Sequence, residues 1–424
     1  MKSRTILGYL RNPLYKNSIF LIANTVASAG LGFVFWMIVA NFYTEKEVGW
    51  GSAVISAMVL LATLAVPGFG AAVIRFLPKA ENPVRLINFF FTLSAIIATV
   101  MAAIFVAGLP LWSPAIGFVR SNTIFALAFV SFVVFLALSH LIDSVFIASR
   151  RADFVFYRLN IMQLFKLPLP VLLVLFFHTF GIAASWGIAA AAALIISLLI
   201  FLPKAQNLYK PTPRLKADMD SSMWRYCAGS YLTSVFHAAP GLVLPILVVN
   251  LLGPEQNAYF YIAWTIASLL WAIPAAVSRS LFAEGAHFED ELGANTYRSF
   301  RFTFLLLIPA IILLLLLGKW LLLLFGDSYS ANGLLLLQIL GLSSVLVGIN
   351  MIYYAILRVL ARIMELVIIS GFITIGTLVG SYFILPATGI TGISYAWLTA
   401  QGIISIYVVF ILMKTHHSTT ASKH

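Results

Sequence analysis

Long apolar runs recur along the whole chain, punctuated by short clusters of Pro, Gly and charged residues. Crossing about 30 Å of hydrocarbon at roughly 1.5 Å per residue takes about 20 apolar residues. Read this way, the chain predicts twelve helical spans: 17–41, 49–74, 87–109, 121–148, 157–180, 182–202, 226–252, 258–282, 301–324, 333–357, 363–384 and 389–413. The runs are continuous, whereas a β-barrel would alternate apolar and polar residues over ten-residue segments. The predicted class is therefore an all-α membrane protein.

Composition agrees with lipid as the solvent. Hydrophobic residues make up 62% of the 424 and charged ones only 9%, with a mean hydropathy of +1.01. Charge sets the orientation. All but four of the 26 Lys and Arg fall on one side of the predicted spans; Lys46, Arg120 and Lys319 lie opposite and Lys166 lies within a span. One span missed or invented would swap every later loop, so this bias predicts a multi-pass protein of the cytoplasmic membrane with both ends cytoplasmic. It also accounts for the net charge of +12 without nucleic acid as a partner. The basic residues 1–16 read as an orientation anchor or as a segment lying flat on the inner leaflet. The first run is too long, and lacks the small-x-small exit, for a cleavable signal. A single cysteine, Cys227, excludes an internal disulfide and any cysteine-based zinc site. No metal or cofactor motif is present, and no loop is large enough for a soluble catalytic domain, so a non-enzyme is expected.

Laid on itself with an offset near 209, the chain repeats weakly. Asn41 falls on Asn250, IASRRADF (147–154) on ILRVLARI (356–363), and, at 208, GIAASW (181–186) on GITGIS (389–394). This predicts a six-helix half at 1–203, a cytoplasmic linker at 204–225, a second six-helix half at 226–413 and a tail at 414–424. An even number of spans per half makes the repeats parallel, with pseudo-two-fold symmetry and a cleft between them.

The hairpin from 39 to 79 carries a specific likeness. Its Ala-x-x-Tyr-Thr-x-x-Glu-Val-Gly turn (Ala40 to Gly49), the Pro-Gly-Phe-Gly and Ile-Arg-Phe-Leu-Pro stretches (Pro67 to Pro78), and Asn-Leu-Leu-Gly-Pro-Glu (Asn250 to Glu255) resemble the polysaccharide-transporter branch of the multidrug, oligosaccharidyl-lipid and polysaccharide (MOP) flippase superfamily, the group with Wzx-like oligosaccharide flippases. The resemblance implies the fold shared with multidrug (MATE) exporters. It also implies translocation of a polyprenyl-(di)phosphate-linked oligosaccharide for surface polysaccharide, such as lipopolysaccharide, by alternating access of a cationic cleft. A polysaccharide polymerase and glycosyltransferases would be partners beside the bilayer. Lipid II is a poorer fit as cargo, because such relatives usually have fourteen spans and charges in span 1, where this chain offers Asn24. The alternative is a cation-coupled exporter of amphipathic molecules, which would need buried carboxylates; a membrane glycosyltransferase would need a large outer loop.

A diphosphate cannot shed its water without compensation, so cations in spans are the candidates. Arg75 and Arg279 end corresponding spans and suit phosphate through their guanidinium forks, or else mark the inner interface. Lys166 lies inside span 5 near Pro168 and Pro170, and Asp143 in span 4 at comparable depth. They read as an Asp143–Lys166 ion pair, or as substrate and coupling groups. His140 and His237 are open to structural or proton-relay roles. Asn24, Gln163, Asn350 and Gln401 either line the cleft or bond neighbouring helices. Pro67, Pro240, Pro245 and Pro274 are hinges or static breaks.

Overall fold

The computed structural model describes the backbone over residues 13–207, 209–216, 221–285 and 292–421, with side chains from Ala27 onward except at 221–222, 225–226, 229–230, 283 and 415–421. Among these residues every regular element is helical. The long helices are α1 (Pro13–Phe42), α2 (Glu45–Leu64), α3 (Phe69–Phe76), α4 (Pro83–Ala107), α5 (Thr123–Ala148), α6 (Ala152–Lys166), α7 (Leu169–Ile196), α8 (Ser221–Leu251), α9 (Pro254–Gly285), α10 (Leu292–Leu323), α11 (Asp327–Val359), α12 (Ile363–Thr388) and α13 (Thr391–Ala421). Among the described residues, ten helices are long and apolar enough to cross a membrane, and Ala27–Phe42 is a shorter apolar one. The chain is a multi-pass membrane protein. It divides into two compact units, Met1–Val235 and Phe236–His424, the division falling inside α8.

In the first unit the centre is α2, packed against α5 and α7. Thr44 caps it: its Oγ1 accepts from the Glu47 N–H (3.3 Å) while the Glu47 carboxylate accepts from the Thr44 N–H (2.9 Å), a reciprocal box contributing about 1 kcal/mol. The helix ends at Ala65 and Pro67. Gly68 then turns the chain at φ +71°, and a Cβ there would collide with the Cys227 carbonyl where α8 passes, so only glycine fits. Beyond the last helical turns of this half, the linker segment Tyr209–Arg214 is strapped to α4. Asn88 Nδ2 donates to the Lys210 carbonyl and to Thr212 Oγ1 (both 2.9 Å), and the Arg214 N–H donates to Thr92 Oγ1 (3.0 Å). Burial against this wall pushes the Tyr209 phenol up to about 12. The strap makes the linker part of the first unit's packing.

Span 5, expected as one run over 157–180, is divided. Helix α6 stops at Lys166, a turn holds Leu167 and Pro168, and α7 then runs through a kink at His178 (φ 41°, ψ −127°). Prolines 168 and 170 remove two amide donors and disfavour helical backbone at the residues before them. A broken helix at membrane depth needs partners for the freed backbone. Tyr43 supplies one by donating to the Pro170 carbonyl (2.8 Å).

The second unit is built around α11, which packs along α9, α10 and α13. Its local turns repeat those of the first unit. Asn41 Nδ2 donates to the Met37 carbonyl and Asn250 Nδ2 to that of Ile246, each four residues back. Arg150 (φ 56°) ends the turn after α5 and Ala361 (φ 54°) the turn after α11. The next amides, of Arg151 and Arg362, both reach back five residues, to Phe146 and Leu357, at 2.8 Å. His178 (φ 41°) likewise corresponds to Gly389 (φ 65°). The register at these last two landmarks is 211, not the 208 or 209 expected from residue identity. Backbone handedness recurs where side chains have drifted. Each turn ends in an arginine closed on an acid: Arg151 on Asp153 (2.8 Å) and Arg362 on Glu365 (2.5 Å). Hydrogen bonding to Asp153 holds the Arg151 guanidinium above its usual range.

A non-glycine residue in left-handed backbone costs about 1–2 kcal/mol, and His178 is exposed, so its side chain offers little in return. His178→Gly, which copies Gly389, is expected to stabilise the first unit by about 1 kcal/mol after the entropy cost of glycine. The readout is a higher melting temperature of the detergent-solubilised protein; a lower one assigns the imidazole a stabilising contact.

Candidate functional site

Among the described residues, the buried charged side chains of the first unit, Asp153, Arg158 and Lys166, all lie on α6 of the α5–α6 hairpin. Residues equidistant from the turn of an antiparallel helix pair lie side by side. Asp143 is seven residues before Arg150, and Arg158 is eight after it. They meet in a forked pair: Arg158 Nε donates to Asp143 Oδ1 (2.6 Å) and Nη2 to Oδ2. The Arg158 side chain is 3% exposed and that of Asp143 19%. Arg158 Nη1 is buried without a hydrogen-bond partner. His140, one turn before Asp143 on α5, is exposed and within electrostatic reach of both partners.

The expected Asp143–Lys166 pair is thus corrected. Lys166 stands eight residues past Arg158, about 12 Å further along α6 at 1.5 Å per residue, too far to share Asp143. Its side chain is fully buried, with Nζ 4.0 Å from the Trp186 ring centre and 4.7 Å from that of Phe35. It makes no ion pair among the described residues. Two ring faces and the carbonyl end of α6 stabilise the ammonium. Arg158, which the charge count assigns to a cytoplasmic loop, is instead a buried partner. The signal that identifies it is its distance from the turn.

Arg75 sits exposed on α3, its guanidinium 5.5 Å from the Phe76 ring. Arg279 is exposed on α9 beside Ser278, whose hydroxyl donates to the Met351 carbonyl. The two arginines belong to different units. Asn24 lies in α1, and its side chain is outside the described residues. Gln163 Nε2 donates to the Ser28 carbonyl (3.3 Å), joining α6 to α1. Glu365 is wholly engaged: besides Arg362 it accepts from Tyr353 (2.6 Å) and Tyr407 (3.2 Å).

In the second unit His237, Asn350 and Gln401 come together around a cavity of about 320 Å³. Three tryptophans complete it, Trp264 and Trp271 from α9 and Trp397 from α13. The pattern that identifies the first two is their seven-residue spacing, which places both on one face of α9. Pro240 lines the same cavity from within α8.

The sequence profile of a family described as polysaccharide biosynthesis protein matches residues 14–244. A putative O-antigen transporter from Shigella flexneri is 26% identical over 154 residues, 36% of this chain and 37% of that relative's length. Among solved structures, a lipid II flippase (MurJ) in an inward closed conformation superposes with a TM-score of 0.75 over 93% of this chain and 87% of its own, at 13% identity. An inward-facing multidrug resistance transporter of the MATE family and MOP superfamily gives 0.69 over 94% and 96%, also at 13%. At that identity the likeness is one of fold.

Removing one partner of a buried ion pair costs about 3–5 kcal/mol, whereas replacing both by apolar residues is nearly neutral. Asp143→Leu and Arg158→Met are each expected to lower the melting temperature strongly, and the double variant to recover most of the loss. Lys166→Met, which removes an unpaired buried charge, is expected to raise it. Additive losses at 143 and 158 would break the pairing argument.

Proposed function

Because the chain belongs to the family of polysaccharide biosynthesis proteins, we propose that it is a flippase moving a polyprenyl-(di)phosphate-linked oligosaccharide from the inner to the outer leaflet by alternating access. Charge carries this reading. The two acids that fall within the predicted spans, Asp143 and Glu365, are each closed by an arginine. Arg279 and Arg358 are exposed and, among the described residues, have no acid partner, while Lys166 is buried without one. The surplus is positive, which suits a diphosphate and opposes an organic cation. Lys166 is retained despite its desolvation cost, and an intramembrane charge of this kind points to function. The fold likeness to multidrug transporters leaves export of amphipathic cations as the competing reading. The engaged carboxylates speak against it, since such cargo needs an acid that is not already neutralised.

With both ends cytoplasmic in an inner membrane, two negative charges moved outward cross an inside-negative potential of 100 mV downhill, by about 4–5 kcal/mol. Membrane potential alone supplies a direction. Proton or sodium coupling through Asp143 or His140 is not required.

Arg75→Ala and Arg279→Ala are expected to lower surface polysaccharide at least tenfold while leaving the amount of membrane-inserted protein unchanged. Leaflet-resolved detection of the lipid-linked saccharide should show it held on the inner face. Normal outer-leaflet levels in cells lacking the chain would refute the flippase reading.

A further inference from the structure

The cavity of the second unit has a chemistry of its own. At about 320 Å³ it lies near the lower end of the roughly 300–1,000 Å³ typical of small-molecule pockets. Trp271 and Trp397 stack with ring centres 5.2 Å apart and planes 28° apart, and Trp264 meets both edge-on. Their faces are held in place: the Trp271 indole N–H donates to Ser344 Oγ and that of Trp397 to Ser343 Oγ, each 3.1 Å. Ser268, Ser370 and Thr374 spend their hydroxyls on backbone carbonyls, but four other polar groups are not used up. Asn350 Nδ2 donates to Gln401 Oε1 (2.6 Å) and Ser405 donates to Asn350 Oδ1 (3.2 Å). That chain fixes the Gln401 amide with its NH₂ as the leftover end. Gln401 is 4% exposed and lines the cavity, yet its Nε2 has no protein acceptor among the described residues. The Trp264 indole N–H, the His237 imidazole and the Tyr354 hydroxyl likewise make no hydrogen bond among the described residues.

No Asp, Glu, Lys or Arg lines the cavity among the described residues. Flat apolar ring faces beside several unspent neutral hydrogen-bonding groups match a sugar ring, whose C–H face stacks on an indole and whose hydroxyls need donors and acceptors at the edge. Tryptophan cages also take organic cations. Here, however, the Arg358 charge, one turn along α11 from Tyr354, reaches His237 and Tyr354. A cation beside a neutral pocket opposes a cationic guest and suits a sugar joined to a phosphate.

We propose that this cavity is a saccharide subsite, stacking one sugar of the cargo on Trp271 and Trp397 and hydrogen-bonding it from Trp264 and Gln401, with Arg358 at its rim facing the sugar phosphate. The assignment rests on the lipid-linked saccharide reading above and adds to it where the sugar is recognised.

The test uses the full chain in phospholipid vesicles. The two transport probes are a polyprenyl diphosphate bearing one N-acetylglucosamine and the same lipid without sugar. Tryptophan fluorescence is titrated separately with methyl glycosides of glucose, galactose, rhamnose and N-acetylglucosamine, and with choline. Trp264→Phe keeps an aromatic ring but loses the donor and the fused five-membered ring; Gln401→Met keeps the length and loses the amide. Both are expected to reduce transport of the sugar-bearing lipid about tenfold and leave the bare lipid unaffected, whereas Arg358→Ala should reduce both lipids. At least one glycoside should perturb the wild-type fluorescence saturably, with the effect weakened about tenfold in both variants. Transport by the wild type with no sugar-specific loss in either variant overturns the subsite and spares the flippase reading. Saturable, variant-sensitive glycoside binding without any lipid transport supports the subsite and overturns the flippase reading. A response to choline with none to any glycoside overturns the subsite, and failure of transport and glycoside binding together removes both.

Discussion

A charge carried into hydrocarbon must find its compensation inside the bundle, because no water is there to supply it. That constraint organises the first unit. Arg158 and Asp143 satisfy it as a forked pair across the α5–α6 hairpin, and Lys166 satisfies it through the ring faces of Phe35 and Trp186. The hairpin register is tied to the pair, since sliding one helix by a turn would strand both charges. The turn that sets this register is itself closed by Arg151 on Asp153. Local electrostatics at the membrane edge and ion pairing within the bundle therefore select the same geometry.

The second unit answers the same constraint differently. Glu365 sits beside the turn after α11, with Arg362, Tyr353 and Tyr407 around it. The interior is left to neutral groups. Asn350, Gln401 and Ser405 form a chain of side-chain hydrogen bonds, and the tryptophans are pinned by Ser343 and Ser344. Among the described residues, the first unit buries Arg158 and Lys166, whereas the cavity of the second is lined by neutral groups.

The weak internal repeat is clearer in backbone than in residues. Arg150 with Ala361, and His178 with Gly389, share positive φ although none of the pairs shares a side chain. Turn handedness is constrained by the helices it joins, whereas an exposed turn side chain is free to change. This is why residue identity gave registers of 208 and 209 where the backbone repeats at 211.

Hydropathy alone determined that the chain is helical and membrane-embedded, because spanning length and backbone satisfaction in lipid leave few other solutions. The hairpin motifs from Ala40 to Pro78 were enough to place the family, since they sit at a cap and a glycine turn that tolerate few residues. Only tertiary structure decided which charges are partners. Asp143 chose Arg158 over Lys166 because contact across a hairpin depends on distance from the turn, while depth counted from a loop edge does not. The unbroken span 5 expected from hydropathy gave way at Pro168 and His178, since an apolar run stays apolar whether or not its helix is continuous. The cavity was equally illegible: its three tryptophans and two amides come from helices far apart in the chain, and no local pattern records which faces will meet.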